Sequence, residues 1–451
     1  MIGGDVIAAI ATPPGRGGVG VIRVSGTDLE SLAISLLKKL PKERFATFCN
    51  FKDEDGSVID QGIALFFKNP HSFTGEDVLE LQGHGGPIVM NMLLQRVVNL
   101  GARIARPGEF TERAFLNEKI DLSQAEAIAD LIDSVSQQAA KGAVRSLRGE
   151  FSNKIRSLNE NVINTRIYVE AAIDFPEEEI DFLSDKRLRD SLVSLRSELE
   201  NILSEAREGA LLREGVRIVL SGRPNVGKSS LMNQLSGKES SIVTKIAGTT
   251  RDLVNEFIHI DGVPIRLIDT AGIRVAKDEV EEEGIRRALK EISNADGVLL
   301  LIDLSIAENW QAEVDASLKE YPGDAKVLVV LNKLDLVDKA PVIPKDFKHE
   351  VLCCSALEGT GIASLRIKLK NLFGLNLSEE GTFVARSRHI SALKRALSHI
   401  SLGNKQLESY QAGELLAEEL RLCHDCLCEI TGEYTSDDLL GEIFSSFCIG
   451  K

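Results

Sequence analysis

The 451-residue sequence lacks any run of about 18 apolar residues, the length that a membrane-crossing helix needs. Its beginning, Met1–Gly15, lacks a basic segment, and Pro13 and Pro14 interrupt the apolar run, so we expect no signal peptide. Cysteine is also scarce: there are seven, an odd number that is typical of proteins in a reducing compartment. We therefore expect a cytoplasmic protein without a membrane-spanning helix.

Positive charge is in short supply. The chain has 53 Lys and Arg against 68 Asp and Glu, and its formal net charge is −15. Because neutralising nucleic-acid phosphates requires clustered Lys and Arg, this composition argues against a general nucleic-acid binder. Any RNA contact must use a local patch or the surface of a partner.

Three of the cysteines lie close to a histidine, which raises the question of a zinc site. Cys423, Cys426 and Cys428 flank His424, but no second Cys-x-x-Cys pair accompanies them. The surrounding residues have the pattern of an amphipathic helix. Helix packing is therefore the favoured interpretation of this cluster.

The segment Gly222–Ser229 fits the phosphate-loop pattern Gly-x-x-x-x-Gly-Lys-Ser. The apolar run Ile218–Leu220 before it predicts a buried strand, and Ser230–Leu235 after it predicts the start of a helix. In that context, backbone N–H groups close around phosphate oxygens at a helix N-terminus. Lys228 is predicted to neutralise β- and γ-phosphate charge and Ser229 to bind Mg²⁺. A simple glycine-rich turn is the alternative.

Three later motifs argue against that alternative. Asp269–Gly272, Asn332–Asp335 and Ser355–Leu357 each follow an apolar run that predicts a strand; these runs are Ile265–Ile268, Val327–Leu331 and Val351–Cys354. Asp269 is placed to reach Mg²⁺ through water. A carboxylate at Asp335 can accept hydrogen bonds from N1–H and the 2-amino group of guanine, a donor pair that adenine lacks. Ser355–Leu357 is suited to a backbone contact with guanine O6.

Together these motifs look like a guanine-nucleotide-binding domain of the Ras-like class. The predicted GTP-binding residues are Asn225, Val226, Gly227, Lys228, Ser229, Ser230, Thr244, Lys245, Ile246, Ala247, Gly248, Thr249, Thr250, Asp269, Thr270, Ala271, Gly272, Asn332, Lys333, Leu334, Asp335, Ser355, Ala356 and Leu357.

The fold class expected is a multidomain α/β plus α protein. We expect an N-terminal α+β domain over 1–118 and a helical domain over 119–213 and 376–451, interrupted by an inserted Ras-like G domain over 214–375. Within the G domain, Asp261–Gly262 lies between two strand-like runs and predicts an antiparallel hairpin at one edge of the sheet.

The catalytic group for hydrolysis is not the one that many GTPases use. Ile273 follows Gly272, at a position where a Gln often orients the attacking water. The nearby segment Asp278–Glu281 supplies carboxylates for that role, although from the residues alone a solvated acidic helix start is the favoured interpretation. No arginine finger is identifiable. Asn225, together with carbonyls of 240–249, could hold a monovalent cation instead, and Thr250 is taken as a Mg²⁺ ligand.

Several longer motifs have no counterpart in a generic GTPase. They are Ala11–Gly20 (ATPPGRGGVG), Pro107–Ala127 (PGEFTERAFLNEKIDLSQAEA), Ile173–Ile180 (IDFPEEEI), Gly248–Asp252 (GTTRD) and the final Cys448–Lys451 (CIGK). With them, essentially the whole chain resembles the MnmE (TrmE) family, the tRNA wobble-uridine modification GTPases.

This resemblance implies a potassium-activated GTPase that forms a homodimer through its N-terminal domain. The potassium ligands that it implies are Asn225, Thr244, Ile246 and Thr249. It also implies that Glu281 positions the catalytic water through a bridging water, beside Lys228 in the catalytic set.

The resemblance further implies a 5-formyl-tetrahydrofolate-type cofactor held by Arg23, Glu80, Lys119 and Lys451, which by themselves would be read as surface charges. The implied partner is MnmG (GidA), which uses FAD and NADH. The pair would install an aminomethyl-type group, carboxymethylaminomethyl, at carbon 5 of the tRNA wobble uridine. A role for Cys448 in packing the tail is favoured over one as a nucleophile, because no base is evident.

Two other functions are weighed against this one. A ribosome-assembly switch would carry a basic RNA-binding module, and a membrane-remodelling GTPase would carry basic lipid-binding helices. Neither feature is visible in the sequence.

Overall fold

A computed structural model describes residues 5–174, 186–236, 255–260, 262–269, 295–318, 326–374, 383–410, 412–433, 437–445, 447–448 and 450. The chain divides into two compact units. The first comprises Met1–Ile132, Ser146–Glu200 and Ser391–Lys451, and the second Asp133–Arg145 and Asn201–Ile390. None of the described helices is both long enough and apolar enough to span a bilayer.

The first unit contains a six-stranded sheet. Its strands are β1 (Ile7–Ile10), β2 (Gly17–Gly26), β3 (Thr47–Lys52), β4 (Val58–Phe67), β5 (Asp77–Gly85) and β6 (Arg103–Ile104). The order is β3-β4-β5-β2-β1-β6, and only the short β1–β6 pair is parallel. Helices α1 (Glu30–Leu37) and α2 (Pro87–Asn99) pack their apolar sides on one face of this sheet. Helix α3 (Glu109–Leu116) brings Phe110 against Ile7 and Ala9.

Long helices make up the rest of the first unit. They are α4 (Leu122–Ile132), α6 (Glu150–Asp174), α12 (Gly413–Thr431), α13 (Asp437–Ser445) and the greater part of α7 (Lys186–Glu214) and α11 (Ser387–Tyr410). Helix α12 packs along α6, and α13 packs Phe444 on Phe115 of α3. The first part of the predicted helical domain, 119–213, is mainly helical where the structure describes it, over 119–174 and 186–213.

The cysteine cluster lies on the buried side of α12. Cys423, Cys426 and Cys428 are at most 4% exposed. Burial raises the pKa of the Cys428 thiol to about 12, so the thiol stays protonated at neutral pH. Beside it, His424 Nδ1 lies 2.8 Å from Asn159 Oδ1 on α6. These contacts are those of two packed helices.

The second unit contains the other six-stranded sheet. Its strands are β7 (Val216–Ser221), β8 (Asn255–Ile260), β9 (Val263–Asp269), β10 (Gly297–Asp303), β11 (Lys326–Asn332) and β12 (Glu350–Cys353). The order is β12-β11-β10-β7-β9-β8, with β8 alone antiparallel. The hairpin predicted at the sheet edge is thereby confirmed.

Helices cover both faces of this second sheet. The helices α8 (Lys228–Ser236) and α10 (Ile362–Phe373) pack on one face, and α9 (Trp310–Leu318) packs on the other. The run Val298–Ile302 is entirely buried, because helices cover both faces of the sheet. A parallel strand in such a position is apolar along its whole length, as this one is. The predicted combination of an α+β domain, a helical domain and a Ras-like G domain is confirmed. The predicted boundaries near 118, 213 and 375 stay a prediction.

The segments that lead into and out of the second sheet run side by side. Gly209 on α7 lies so close to the chain at Phe383 that an added Cβ would be 2.0 Å from the Phe383 carbonyl oxygen. Farther along, Ser387 Oγ donates to Glu214 Oε1 at 2.9 Å. The two connections are therefore held against each other.

A buried charge network lies beneath the first sheet. The Arg113 side chain is 7% exposed and donates to both carboxylate oxygens of Glu76, at 3.0 and 3.1 Å, and to Asp5 Oδ1 at 2.8 Å. Ser25 Oγ donates to Glu76 at 2.7 Å. Burial acts to raise the pKa of the Glu109 carboxyl, but hydrogen bonds from Arg103 and the Arg106 N–H outweigh it and lower that pKa. Part of the Pro107–Ala127 motif is therefore structural.

We expect Arg113→Ala to destabilise the folded protein by about 3–5 kcal/mol, because the nearly buried Glu76 carboxylate would lose its cation and Glu109 would lose one of its arginine partners. The control is Arg106→Ala, whose side chain is 62% exposed and whose loss is expected to cost no more than about 1 kcal/mol. Urea denaturation of the full-length protein measures both values. Equal losses for the two variants would contradict a stabilising role for the buried network.

Candidate guanine-nucleotide and folate sites

The phosphate loop connects β7 to α8, as its motif predicts. Lys228, 7% exposed, donates from Nζ to the Gly222 carbonyl oxygen at 2.7 Å, so its ammonium is held over the loop. Ser229 and Ser230 are exposed in the first turn of α8, where unpaired N–H groups can receive an anion. Asn225 is exposed at the tip and has a φ of 62°.

A single buried amide joins this loop to the two base-reading motifs. Asn332, 2% exposed at the end of β11, donates from Nδ2 to the Val226 carbonyl oxygen at 2.7 Å. Its Oδ1 accepts the N–H of Ala356 at 2.9 Å. Gly227, with a φ of 101°, passes so close that an added Cβ would lie 2.3 Å from Asn332 Nδ2. The glycine at this position is therefore required by the approach of Asn332.

The guanine-reading carboxylate predicted from the sequence lies just beyond this amide. Asp335 is exposed in a 3₁₀ turn, Leu334–Leu336, at the end of the sheet where the strands β7, β10 and β11 terminate. The turn is anchored by the N–H of Leu334, which donates to the Cys354 carbonyl oxygen at 3.0 Å. An exposed carboxylate on an anchored turn is suited to accept hydrogen bonds from a base.

The predicted O6-reading turn follows β12. Ser355 Oγ accepts the N–H of Glu358 at 3.1 Å, which closes the turn. The N–H of Ala356 already donates to Asn332. The next N–H along the chain, that of Leu357, is therefore the one that could donate to guanine O6. Leu357 is 78% exposed, so the turn is open to solvent at this residue.

Asp269, predicted to reach Mg²⁺ through water, is the last residue of the neighbouring strand β9. In the parallel register of β7 and β9, Leu220 is opposite Asp269, so the end of β9 lies beside the start of the phosphate loop. The other predicted residues fall outside the described residues: Thr244, Lys245, Ile246, Ala247, Gly248, Thr249, Thr250, Thr270, Ala271, Gly272, Ile273 and Glu281. Their roles stay predictions.

Two of the four predicted folate residues form a pair on the first sheet. Arg23 on β2 lies directly opposite Glu80 on β5, and its Nε and one terminal nitrogen donate to Glu80 Oε1 at 3.0 and 2.9 Å. The guanidinium also lies 5.6 Å from the centre of the Phe73 ring. Both Arg23 bonds use one carboxylate oxygen. The pair is only partly buried, so the second oxygen of Glu80 is suited to another donor.

Of the other two predicted folate residues, Lys119 is among those that the structure describes. Lys119 Nζ donates to the Pro70 carbonyl oxygen at 2.9 Å, and its stem lies near Gly75. Gly450 packs against the end of β1, where an added Cβ would be 2.6 Å from the Ile10 carbonyl oxygen. Lys451 itself is outside the described residues. Cys448, exposed, accepts a backbone bond from the N–H of Gly108 at 3.3 Å, which fits a packed tail.

Comparison with known proteins gives a consistent result over the whole chain. Residues 6–119 match the family model of the GTP-binding protein TrmE N-terminus, and residues 122–448 match that of the MnmE helical domain. A protein of Shewanella pealeana named tRNA modification GTPase MnmE is 56% identical over 454 residues, which is 99% of each chain. A Proteus mirabilis protein of that name is 55% identical over 450 residues, again 99% of each chain.

The chain belongs to the MnmE family. Among solved structures, the G domain of the T. maritima FeoB iron transporter is 26% identical and covers 35% of this chain and 98% of its own, with a TM-score of 0.27. A likeness with that TM-score adds nothing to the strand order described above.

One residue beside the candidate nucleotide site is not predicted from the sequence. Asp303, at the end of β10, forms an ion pair with Lys333 Nζ at 2.6 Å and accepts two bonds from Ser305. Burial acts to raise the pKa of Asp303, but the Lys333 and Ser305 bonds outweigh it and lower that pKa. Asp303 ends a buried strand as Asp269 and Asn332 do, and that position was the available signal.

We expect Asn332→Ala to weaken GTP binding by ~1–3 kcal/mol, a factor of about 5 to 150, because two buried hydrogen bonds that shape the site are lost. Titration with a fluorescent GTP analogue measures the affinity. Val342→Ala, 89% exposed in the same unit, is the matched control and is expected to bind as the unmodified chain does. An unchanged affinity in Asn332→Ala would show that the positions of the phosphate loop and the turn at Ala356 do not depend on the Asn332 amide.

Proposed function

We propose that this chain is a GTP hydrolase that acts in tRNA modification, as the names of its MnmE relatives state. The observation that carries this proposal is the joining of three nucleotide-reading motifs by Asn332. Asp335 then selects guanine, because adenine lacks a paired N1–H and 2-amino group. A cytoplasmic location, where tRNA is modified, belongs to the same proposal.

The hydrolysis site combines described residues with predicted ones. Lys228 and the N-terminus of α8 hold the phosphates, and Ser229 with Thr250 would bind Mg²⁺, which neutralises phosphate charge when bound. Ile273 cannot orient water, so Glu281 is proposed to position it through a bridging water. This assignment rests on the sequence and on membership of the family.

Potassium is proposed to replace the arginine finger that the sequence lacks. Its ligands would be Asn225, Thr244, Ile246 and Thr249. The position of Asn225 supports this, because its side chain is exposed at the tip of the phosphate loop. A cation there would neutralise charge that develops on the γ-phosphate during hydrolysis.

The folate site is proposed on the first sheet, at Arg23, Glu80, Lys119 and Lys451. Glu80 uses one oxygen for Arg23, and the other can accept from the amide N–H and amino group of a pterin. Two chains would form a homodimer through this domain. With an FAD- and NADH-using partner, MnmG (GidA), the one-carbon unit of a 5-formyl-tetrahydrofolate-type donor would become part of the carboxymethylaminomethyl group at carbon 5 of the wobble uridine.

Mass spectrometry of tRNA nucleosides tests this function. We expect cells without the chain to lose the carbon-5 aminomethyl-type wobble uridines, and the intact chain to restore them. Glu80→Gln is expected to restore less than about a tenth, because a pterin would lose its charged acceptor. Glu43→Gln, exposed in the same domain, is the control. Unchanged wobble uridines in the deleted strain would instead favour a switch that acts on a binding partner.

A separate measurement tests potassium. GTP hydrolysis by the full-length protein is expected to be at least ten-fold faster in potassium chloride than in sodium chloride at matched ionic strength, since the two ions differ in size and hydration. Equal rates in the two salts would remove Asn225 from the catalytic site.

A further inference from the structure

Helix α5 (Gln137–Leu147) lies on the division between the two units. Residues up to Arg145 belong with the G-domain sheet, and Ser146 and Leu147 belong with the first unit. The stretch Asp133–Arg145, here named the α5 segment, packs on the β8–β9 hairpin. In the sequence, this hairpin lies between the stretch that carries Thr250 and the stretch that carries Glu281.

Two contacts hold the α5 segment on the hairpin. His259 Nε2, on β8, lies 3.0 Å from the Val135 carbonyl oxygen, which can only accept, so this ring nitrogen carries the hydrogen. At the turn, Gly262 has a φ of 82°, and an added Cβ would lie 2.4 Å from Cγ of Gln138. The turn and the Gln138 stem are therefore in close contact.

The same strand position is tied to the phosphate-binding helix on its other side. Arg366 of α10 donates to the His259 carbonyl oxygen at 3.4 Å and to the Leu235 carbonyl oxygen at 2.5 Å. Leu235 lies in the last turn of α8, whose first residue is Lys228. Hydrogen bonds thus run from the helix that holds the phosphates, through Arg366 and His259, to Val135.

The far end of α5 is fixed within the first unit. Gln124 of α4 donates from Nε2 to the Leu147 carbonyl oxygen at 3.0 Å. After Gly149 the chain enters α6, the longest helix that lies wholly within the described part of the first unit. Hydrogen bonds thus hold Val135, two residues before α5, and Leu147, its last residue, and a helix held in this way can carry a displacement from one end to the other.

We propose that α5, held on the hairpin by His259 and Gln138, is the connection by which the nucleotide state of the G domain controls tRNA modification. His259 and Gln138 are positioning residues: they act through α5 and do not touch the nucleotide. This inference rests on the proposed function, because it assumes a GTP cycle that drives modification. A nucleotide shifts the conformation of α5 only if the hairpin contact differs between states.

The first test needs no tRNA. Hydrogen exchange of the backbone over 133–147 is measured in the full-length protein with GDP and with a non-hydrolysable GTP analogue. We expect exchange to differ about five-fold or more between the two states, and the difference to disappear in His259→Leu, which removes the donor. His259→Gln keeps a donor at a similar reach and is expected to retain it. Identical exchange in both states of the unmodified chain would overturn the proposal.

The second test compares GTP hydrolysis with wobble-uridine modification in the same variants. His259→Leu is expected to hydrolyse GTP within about two-fold of the unmodified rate while modification per GTP falls about five-fold or more. Lys141→Ala, exposed on the same helix, is the control and should leave both rates unchanged. A parallel fall in both rates would assign His259 to the stability of the sheet and overturn the proposal.

The two tests separate the proposals. If the unmodified chain fails to modify tRNA but shows the exchange difference, the proposed function fails, and only the response of α5 to the bound nucleotide survives. If it modifies tRNA and His259→Leu does so at the same rate, the α5 connection fails and the proposed function stands.

Discussion

The nucleotide site depends on the side-chain amide of Asn332. An amide offers a donor and an acceptor in one plane, and here each is used on a different loop: the carbonyl of Val226 and the N–H of Ala356. Both partners are backbone atoms, so the surrounding side chains can vary without loss of the connection. The amide is buried, and in such surroundings a hydrogen bond is stronger and its loss more costly than at the surface. The phosphate loop and the base-reading turns therefore keep a fixed separation.

Much of the G-domain sheet follows directly from the sequence. The runs Ile218–Leu220, Ile265–Ile268 and Val327–Leu331 all lie in strands whose bounds differ from the prediction by at most two residues at either end. A strand buried on both faces is apolar along its length, so it can be recognised as an uninterrupted apolar run, without alternation of apolar and polar residues. The hairpin at Asp261–Gly262 was predicted as well, because a two-residue Asp-Gly turn strongly favours that geometry.

The charge pairs of the first unit could not be predicted from the sequence, because their members lie far apart along the chain. Arg113 contacts Asp5 and Glu76, which are 108 and 37 residues away, and no local pattern connects them. Arg23 and Glu80 look like ordinary surface charges until the register of β2 and β5 places them face to face. Family resemblance, and not residue chemistry, singled out that pair. Asp303 differs, because it directly ends the buried strand β10 and pairs with Lys333. A polar residue at the end of a buried parallel strand is a signal that the sequence does contain.

The close contact of Gly209 with Phe383, and of Glu214 with Ser387, bears on how one domain can be inserted into another. A domain can be inserted without disrupting the surrounding fold where its two ends lie close together, because it then takes the place of a short loop. Glycine at position 209 lets the segment at Phe383 lie directly on α7, so α7 and α11 meet at the point of insertion. Two helices that meet in this way keep the same topology whether a short loop or a whole domain connects them.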